Sequence, residues 1–258
     1  MNWGFNVEDF SFMAEIEPEG CFVALKDTDV IGLVTSVSLG DMGWIGNVIV
    51  VTKERKKGIG AALVKEALNH LHIKGVKTVG VYAYRKVVPF YEKFGFKSSR
   101  DYLWLVCRKS SWSGEMMPKL VGRDLTAIIE FDEQCFGAPR KRLLEAKYES
   151  PHSVCVVAIR EGRPTAYLMA VKSSFSAEIG PWVCERGHEE EGFRLFKSLG
   201  NELAGLETHV GVPSDRHELV GFLTSLGFAE DFPVVRMYCG PAPVDTYCAL
   251  AMESLERG

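Results

Sequence analysis

Long apolar runs are missing from this 258-residue chain, and no stretch reaches the length that spans a bilayer as a helix. The opening MNWGFNVEDF lacks the basic-then-apolar pattern of a secretory leader. Paired cysteine motifs are missing too: the seven cysteines are an odd number, scattered singly, with no CxxC. That excludes a disulfide framework and a zinc ribbon, and leaves reduced thiols filling the core of a cytoplasmic protein. Excess charge is absent, the net being −4, so neither nucleic acid nor an anionic membrane is expected as a partner. Neither the Gly-Lys-Ser/Thr of a nucleotide-triphosphate loop nor a GxGxxG occurs. The apolar (47%) and charged (25%) fractions are those of an ordinary globular protein, and the length admits two modest domains or one large one.

What is present centres on WIGNVIVVTKERKKGIGAALVKEAL, Trp44 to Leu68. Trp44 to Val51 is apolar and rich in β-branched residues, bounded by Gly43 and Thr52, and reads as a buried strand. From about Gly58 to His72 the residues Ala61, Leu63, Val64, Ala67, Leu68 and Leu71 recur on one face of a helix. Between them lies RKKGIG. Gly58 and Gly60 lack a Cβ and let a ligand approach the backbone, at a helix start whose free N–H groups favour an anion. Arg55, Lys56 and Lys57 add positive charge. The expected guest is a phosphate or pyrophosphate. A solvated basic turn before a surface helix is the plain alternative.

Further elements follow the same logic. Asn6 to Ile16 predicts a short helix, and Cys21–Leu25 with Val30–Leu39 a hairpin. Lys77 to Ala83 predicts a strand parallel to Ile45–Val51, Val88 to Phe94 a helix closed by Gly95, and Tyr102 to Arg108 another strand. Ser110 to Gly114, SSWSG, has the composition of a linker.

VIVVTKERKKGIGAALVKEAL followed by VGVYAYRKVVPFYEKFGF resembles the GNAT family of N-acetyltransferases across most of the first half. The resemblance implies that the loop holds the pyrophosphate of acetyl-CoA through Arg55, Lys56, Lys57, Gly58, Ile59, Gly60 and Ala61. It implies that Val48, Ile49 and Val50 pair with the pantetheine arm like an added strand. It also implies that Tyr91 protonates the departing thiolate, and that no metal takes part. GNAT domains usually open with a strand and a helix that have no counterpart before this start, which bears on the acceptor wall. No general base is assigned: Glu15, Glu17, Asp41 and Glu92 are candidates that also suit solvated surface positions. Asn47 stands where relatives often carry a carboxylate. Arg85 and Lys86 either reach the coenzyme's 3′-phosphate or face water.

A second copy of the plan follows. CFVAL at 21–25 matches CVVAI at 155–159, WIG at 44–46 matches EIG at 178–180, and FYEKFGF at 90–96 matches FLTSLGF at 222–228. The offset is 134 before the loop (155 against 21) and 132 after it (222 against 90). Asp124–Cys135 and Arg140–Tyr148 supply opening helices. Here the chemistry is lost, since ERGHEEEG replaces ERKKGIG and Leu223 stands at the place of Tyr91. The expectation is a mixed α/β sheet protein of tandem GNAT-like folds. Residues 1–112 form the acetyl-CoA-binding domain, lacking its opening strand and helix, and 113–258 form a degenerate partner. The expected reaction moves an acetyl group to a primary amine. The alternatives are a coenzyme-binding sensor without turnover and a scaffold. His209, Asp215 and His217 lack a zinc spacing and read as loop residues, and Met116-Met117 as core or interface.

Overall fold

In the computed structural model, which describes residues 7–258, the chain enters through helix α1 (Val7–Ile16); Asn6 lies outside the described residues. Strands β1 (Cys21–Lys26) and β2 (Asp29–Leu39) form the expected antiparallel hairpin, turning at Asp27 with a left-handed φ of 54°. Strand β3 (Met42–Val50) pairs antiparallel with β2. Helix α2 (Ile59–Ile73) then crosses the sheet and buries Leu63, Val64, Ala67 and Leu71, the stripe that the sequence spaces at helical period. Strand β4 (Thr78–Tyr84), helix α3 (Val88–Glu92) and strand β5 (Lys97–Cys107) complete the first half.

The second half repeats this order after two helices, α4 (Gly122–Phe136) and α5 (Lys141–Glu149). Strands β6 (Ser153–Arg160), β7 (Arg163–Lys172) and β8 (Ser176–Cys184) lead into α6 (Glu189–Ser198). Then come β9 (Glu207–Pro213), α7 (His217–Ser225) and β10 (Ala229–Cys239). Besides its additional opening helix, the second half carries a strand that the described first half does not match, β11 (Ala249–Ala251).

All strands join one sheet, in the order β1-β2-β3-β4-β10-β5-β9-β8-β7-β6, with β11 pairing β8 off this path. The order is palindromic about its centre, as a duplication predicts, but the last strand of each half is exchanged. β10 lies antiparallel to β4, and β5 lies antiparallel to β9, while β5 and β10 pair along most of their length. Neither half therefore completes its sheet alone. SSWSG is no free linker either. The Trp112 ring is buried against Phe196 and Phe228, and the Ser110 hydroxyl shares a 2.6 Å hydrogen bond with Thr208. Its polar composition concealed one indole whose apolar area is better placed in the core.

Candidate functional site

Strands β3 and β4 run parallel only from Met42↔Thr78 to Trp44↔Gly80. The Trp44 indole lies over Gly80, where an added Cβ would stand 2.1 Å from the ring, and it packs tilted against Tyr82 and edge-to-face with Tyr238. Past this wedge the ladder stops, so Ile45–Val50 has no β4 partner. On its other edge β3 is bulged. Thr35 pairs with Gly46 and Leu33 with Ile49, so Asn47 and Val48 together face Val34. Asn47 takes a left-handed φ of 51°, its Nδ2 donates to Thr35 Oγ1 at 3.2 Å, and its buried Oδ1 has no partner. A bulge takes backbone groups out of the ladder and is a common device beside functional sites. The parting and the bulge fall on the same few residues.

The basic loop starts where this strand ends. Lys56 and Gly58 are left-handed, at φ 64° and 87°. Arg55 Nε donates to the Val50 carbonyl at 2.9 Å, tying loop to strand. Lys57 Nζ lies 2.8 Å from Glu54, which Lys26 also reaches, so part of the positive charge is already neutralised. Gly58 is the N-cap of α2 and offers no side-chain cap; the first amide paired within the helix is that of Ala62, to the Gly58 carbonyl. The N–H groups of Ile59, Gly60 and Ala61 have no acceptor among the described residues. These donors sit at the positive end of fifteen aligned peptides. A Cβ at Gly60 would meet Val50 at 3.6 Å and Phe90 at 3.8 Å, ordinary contacts, so the protein itself does not require glycine there.

Tyr91 is buried in α3, with ring centroids 5.1 Å from Phe90 and 5.6 Å from Phe96. It belongs to one apolar cluster with Ile45, Val48 and Val50 of β3, Val81 and Ala83 of β4, and Ile59 and Val64 of α2. Burial pushes its phenol well above the ordinary tyrosine range. Strand edge, loop and tyrosine, separate in sequence, thus share one locus.

The second half contains the same parting with a different content. β8 and β9 pair in parallel from Ser176↔Glu207 to Ile179↔Val210 and then separate. β11 lies in the gap: it runs antiparallel to Val183 and Trp182, and Met252 N–H donates to the Gly211 carbonyl at 3.0 Å. A Cβ on Gly211 would stand 2.5 Å from the Met252 side chain. The chain's own backbone thus takes the slot. The loop also serves itself, since Glu191 accepts from Thr165 at 2.5 Å and Glu189–Glu191 stand in the first turn of α6, where carboxylates satisfy the helix dipole.

Beyond β11, residues 253–258 cross to the first half. Glu253 is buried between Lys147 at 2.6 Å and Arg257 at 2.7 Å, and Arg140, itself paired with Asp132, donates to the Gly258 carbonyl at 3.3 Å. Gly258 rests on the Trp44 ring, and Glu256 lies against Gly46. Sequence reasoning passed over this segment. The apolar Ala249–Met252 run after Pro241 and Pro243 was its only signal.

Other candidates fall elsewhere. Glu17 is buried, bonded to Lys74 at 2.6 Å and Arg142 at 2.7 Å, so it is a structural ion pair and no solvated carboxylate. Asp41 pairs with Lys77 at the surface, and Glu15 and Glu92 are exposed. His209 lies within β9, 3.2 Å from Glu207, in place of the expected loop, because Thr208–Val212 alternate into the core. Asp215 binds Arg100. Arg85 pairs with Asp101, and Lys86 lies over the Tyr84 ring. Met117 packs on the core while Met116 is exposed. Among the described residues no cluster of His, Cys, Asp or Glu could hold a metal, and no helix is long and apolar enough to cross a membrane.

A mixed sheet whose parallel pair parts at a bulge, with an uncapped helix start at the parting, is the frame of an acyltransferase fold. Comparison with known proteins gives the family. Residues 2–96 match the Acetyltransferase (GNAT) family and residues 128–247 an Acetyltransferase (GNAT) domain. A Pyrococcus horikoshii protein assigned to the acetyltransferases superposes with a TM-score of 0.82 at 18% identity, over 100% of this chain and 88% of that one. A tandem GNAT protein from the clavulanic acid biosynthesis pathway, solved without AcCoA, gives 0.62 at 14% identity, over 92% and 88%. A GCN5-related N-acetyltransferase from Sphaerobacter thermophilus gives 0.60 at 15%, over 88% and 83%. No protein with a curated description matches significantly. The chain belongs to the GNAT family of acetyltransferases, with one GNAT domain in each half.

Proposed function

We propose that residues 1–112 bind acetyl-CoA and transfer its acetyl group to a primary amine of a small molecule or peptide, while residues 113–258 are a degenerate GNAT-like unit that walls the acceptor cleft. One observation carries this reading: three unpaired amides at the start of α2, beside a β3 edge that its parallel partner has left. Gly58, Ile59, Gly60 and Ala61 suit a pyrophosphate, with Lys56 free to add charge and Arg55 and Lys57 bracing the loop. Val48, Ile49 and Val50 offer the edge to an extended arm. When bound, acetyl-CoA supplies an activated acyl thioester. The protein's part is to hold acyl carbon and amine in line, and to aim a backbone N–H near Val48 at the thioester oxygen.

Tyr91 keeps its proton at any cellular pH, since burial raises its pKa. It acts on a departing sulfur by donating a hydrogen bond. An ordinary thiol, near 8.5, is the stronger acid, so Tyr91 steadies the departing thiolate through that hydrogen bond and keeps its own proton. The second reading is a coenzyme sensor without turnover. It is favoured by residues 253–258 crowding β3 at Gly46 and Trp44.

Two measurements test these readings. Acetyl-CoA at a hundred times its dissociation constant adds about 2.7 kcal/mol to stability and raises the melting temperature. Absence of any shift removes both readings. Thiol release with a panel of amines, lost in Tyr91→Phe while the thermal shift persists, supports transfer over sensing.

A further inference from the structure

Among the described residues, none of the first half's four candidate proton acceptors is both buried and unpaired: Glu17 and Asp41 are paired, and Glu15 and Glu92 are exposed at the surface. The last segment supplies one. A Cβ on Gly46 would stand 2.6 Å from Glu256 Cα, so Glu256 lies directly against β3, one residue before the bulge. The face matters. Ile45 and Val48 pack under α2, on the side of the basic loop, whereas Trp44 packs with Tyr82 and Tyr238 on the opposite side. Gly46 shares the Trp44 face. The Glu256 backbone and Cβ therefore lie against the unpaired end of β3, on the face away from the phosphate cradle and so on the side left for an acceptor.

We infer that Glu256, carried under the bulge by the second half's final segment, is the general base that deprotonates the acceptor amine. This rests on the acyl-transfer reading above. The segment is fixed there: β11 is zipped into the β8–β9 gap, Glu253 is clamped by Lys147 and Arg257, and Arg140 holds Gly258. A segment so anchored forms part of the site's wall.

The surroundings suit the task. The charge of Glu256 is felt by Glu178 of β8 and Tyr84 of β4, and Glu253, Ser254 and Arg257 of its own segment act on it in turn. Burial and then the neighbouring carboxyl hold Glu178 up to about 8, and burial with the Glu253 charge, against the pull of Arg257, raises Glu256. Glu178 Oε1 is buried without a hydrogen-bond partner. Two carboxyls that repel one another resist ionising together, so one can stay basic beside a protonated partner. One ammonium proton of the acceptor passes to Glu256, freeing the nitrogen lone pair. As the nitrogen–carbon bond forms and the carbon–sulfur bond breaks, the nitrogen's second proton is released to solvent, and the departing thiolate, held by the Tyr91 hydrogen bond, takes its proton from solvent in turn.

The test is Glu256→Gln. Thiol release with a panel of primary amines (amino acids, a polyamine, an aminosugar and a peptide) is followed across pH. The expected result is a loss of about 100-fold at pH 7 and disappearance of the acidic limb, with the acetyl-CoA thermal shift unchanged. A wild-type rate and pH profile in the variant, or a faster rate because the segment merely obstructs, overturns the inference while leaving the acyl-transfer reading intact. Failure of wild type to respond to acetyl-CoA removes that reading itself. An acceptor-independent measurement is carbon-13 NMR of glutamate-labelled protein. Two carboxyls whose titrations are linked and shifted above the ordinary glutamate range are expected, one of them absent in the variant; ordinary glutamate titration throughout overturns the inference.

Discussion

Replacing Gly60 with alanine separates what the fold wants from what the ligand wants. In the fold, Gly60 is the second residue of α2, its φ is not left-handed, and a new methyl meets only Val50 at 3.6 Å and Phe90 at 3.8 Å. The substitution introduces no clash, and exchanging glycine for alanine in a helix is worth up to about 0.5–1 kcal/mol. In a chain of this size that raises the melting temperature of the free protein by about 1–4 °C. The same methyl projects beside the open amides and keeps a phosphate from reaching them. A hydrogen bond to a charged group contributes about 1.5–3 kcal/mol, so losing one weakens acetyl-CoA by about 10- to 150-fold. At a concentration that adds about 2.7 kcal/mol to wild type, a 100-fold weaker variant gains only about 0.4 kcal/mol. Scanning calorimetry with and without acetyl-CoA reads both quantities. The expected result is a free protein that melts higher and hardly responds to ligand. An unchanged ligand response in Gly60→Ala would refute the reasoning, because the amides around residue 60 would then not be where the coenzyme binds.

Two further outcomes concern the segment that joins the halves. Lys147→Met strands the buried Glu253 carboxylate and destabilises the protein by about 3–5 kcal/mol in urea titration; a loss under about 1 kcal/mol shows that Arg257 alone holds it. Stability should also bend with pH on both sides. Burial works against the Glu253 charge, but Arg257 and Lys147 outweigh it and hold its carboxyl well below the usual range. Its contribution is therefore full above the ordinary glutamate pKa and declines as pH falls below it. Glu178, raised to about 8, behaves oppositely: its contribution is full below the ordinary glutamate pKa and is lost as pH rises through about 8. Glu178→Gln should flatten the alkaline side of the curve and leave the acidic side unchanged, and an unaltered alkaline slope contradicts the carboxyl pair.

Local chemistry was legible in the sequence because it depends on neighbours along the chain. The stripe Leu63, Val64, Ala67 and Leu71 set the buried face of α2, and Gly58 and Gly60 marked a helix start without a side-chain cap. The β1–β2 hairpin, the crossover to β4 and the duplicated plan with its defective second loop followed from spacing and alternation. Tyr91 came from resemblance, and its buried position among β3 and β4 residues was then found in the fold.

Only the tertiary structure decided what depends on partners distant in sequence. That β5 and β10 change places rests on edge pairing between halves, which the apolar pattern of a strand leaves open. The parting of β3 from β4 needs the Trp44 ring over Gly80, and the bulge at Asn47 needs the register against Leu33 and Thr35. That β11 fills the second gap and delivers Glu256 to the first was invisible for the same reason. Sequence order records which groups a chain carries, whereas the meeting of Glu256 with Gly46, 210 positions earlier, exists only once packing has paid the entropy of closing so long a loop.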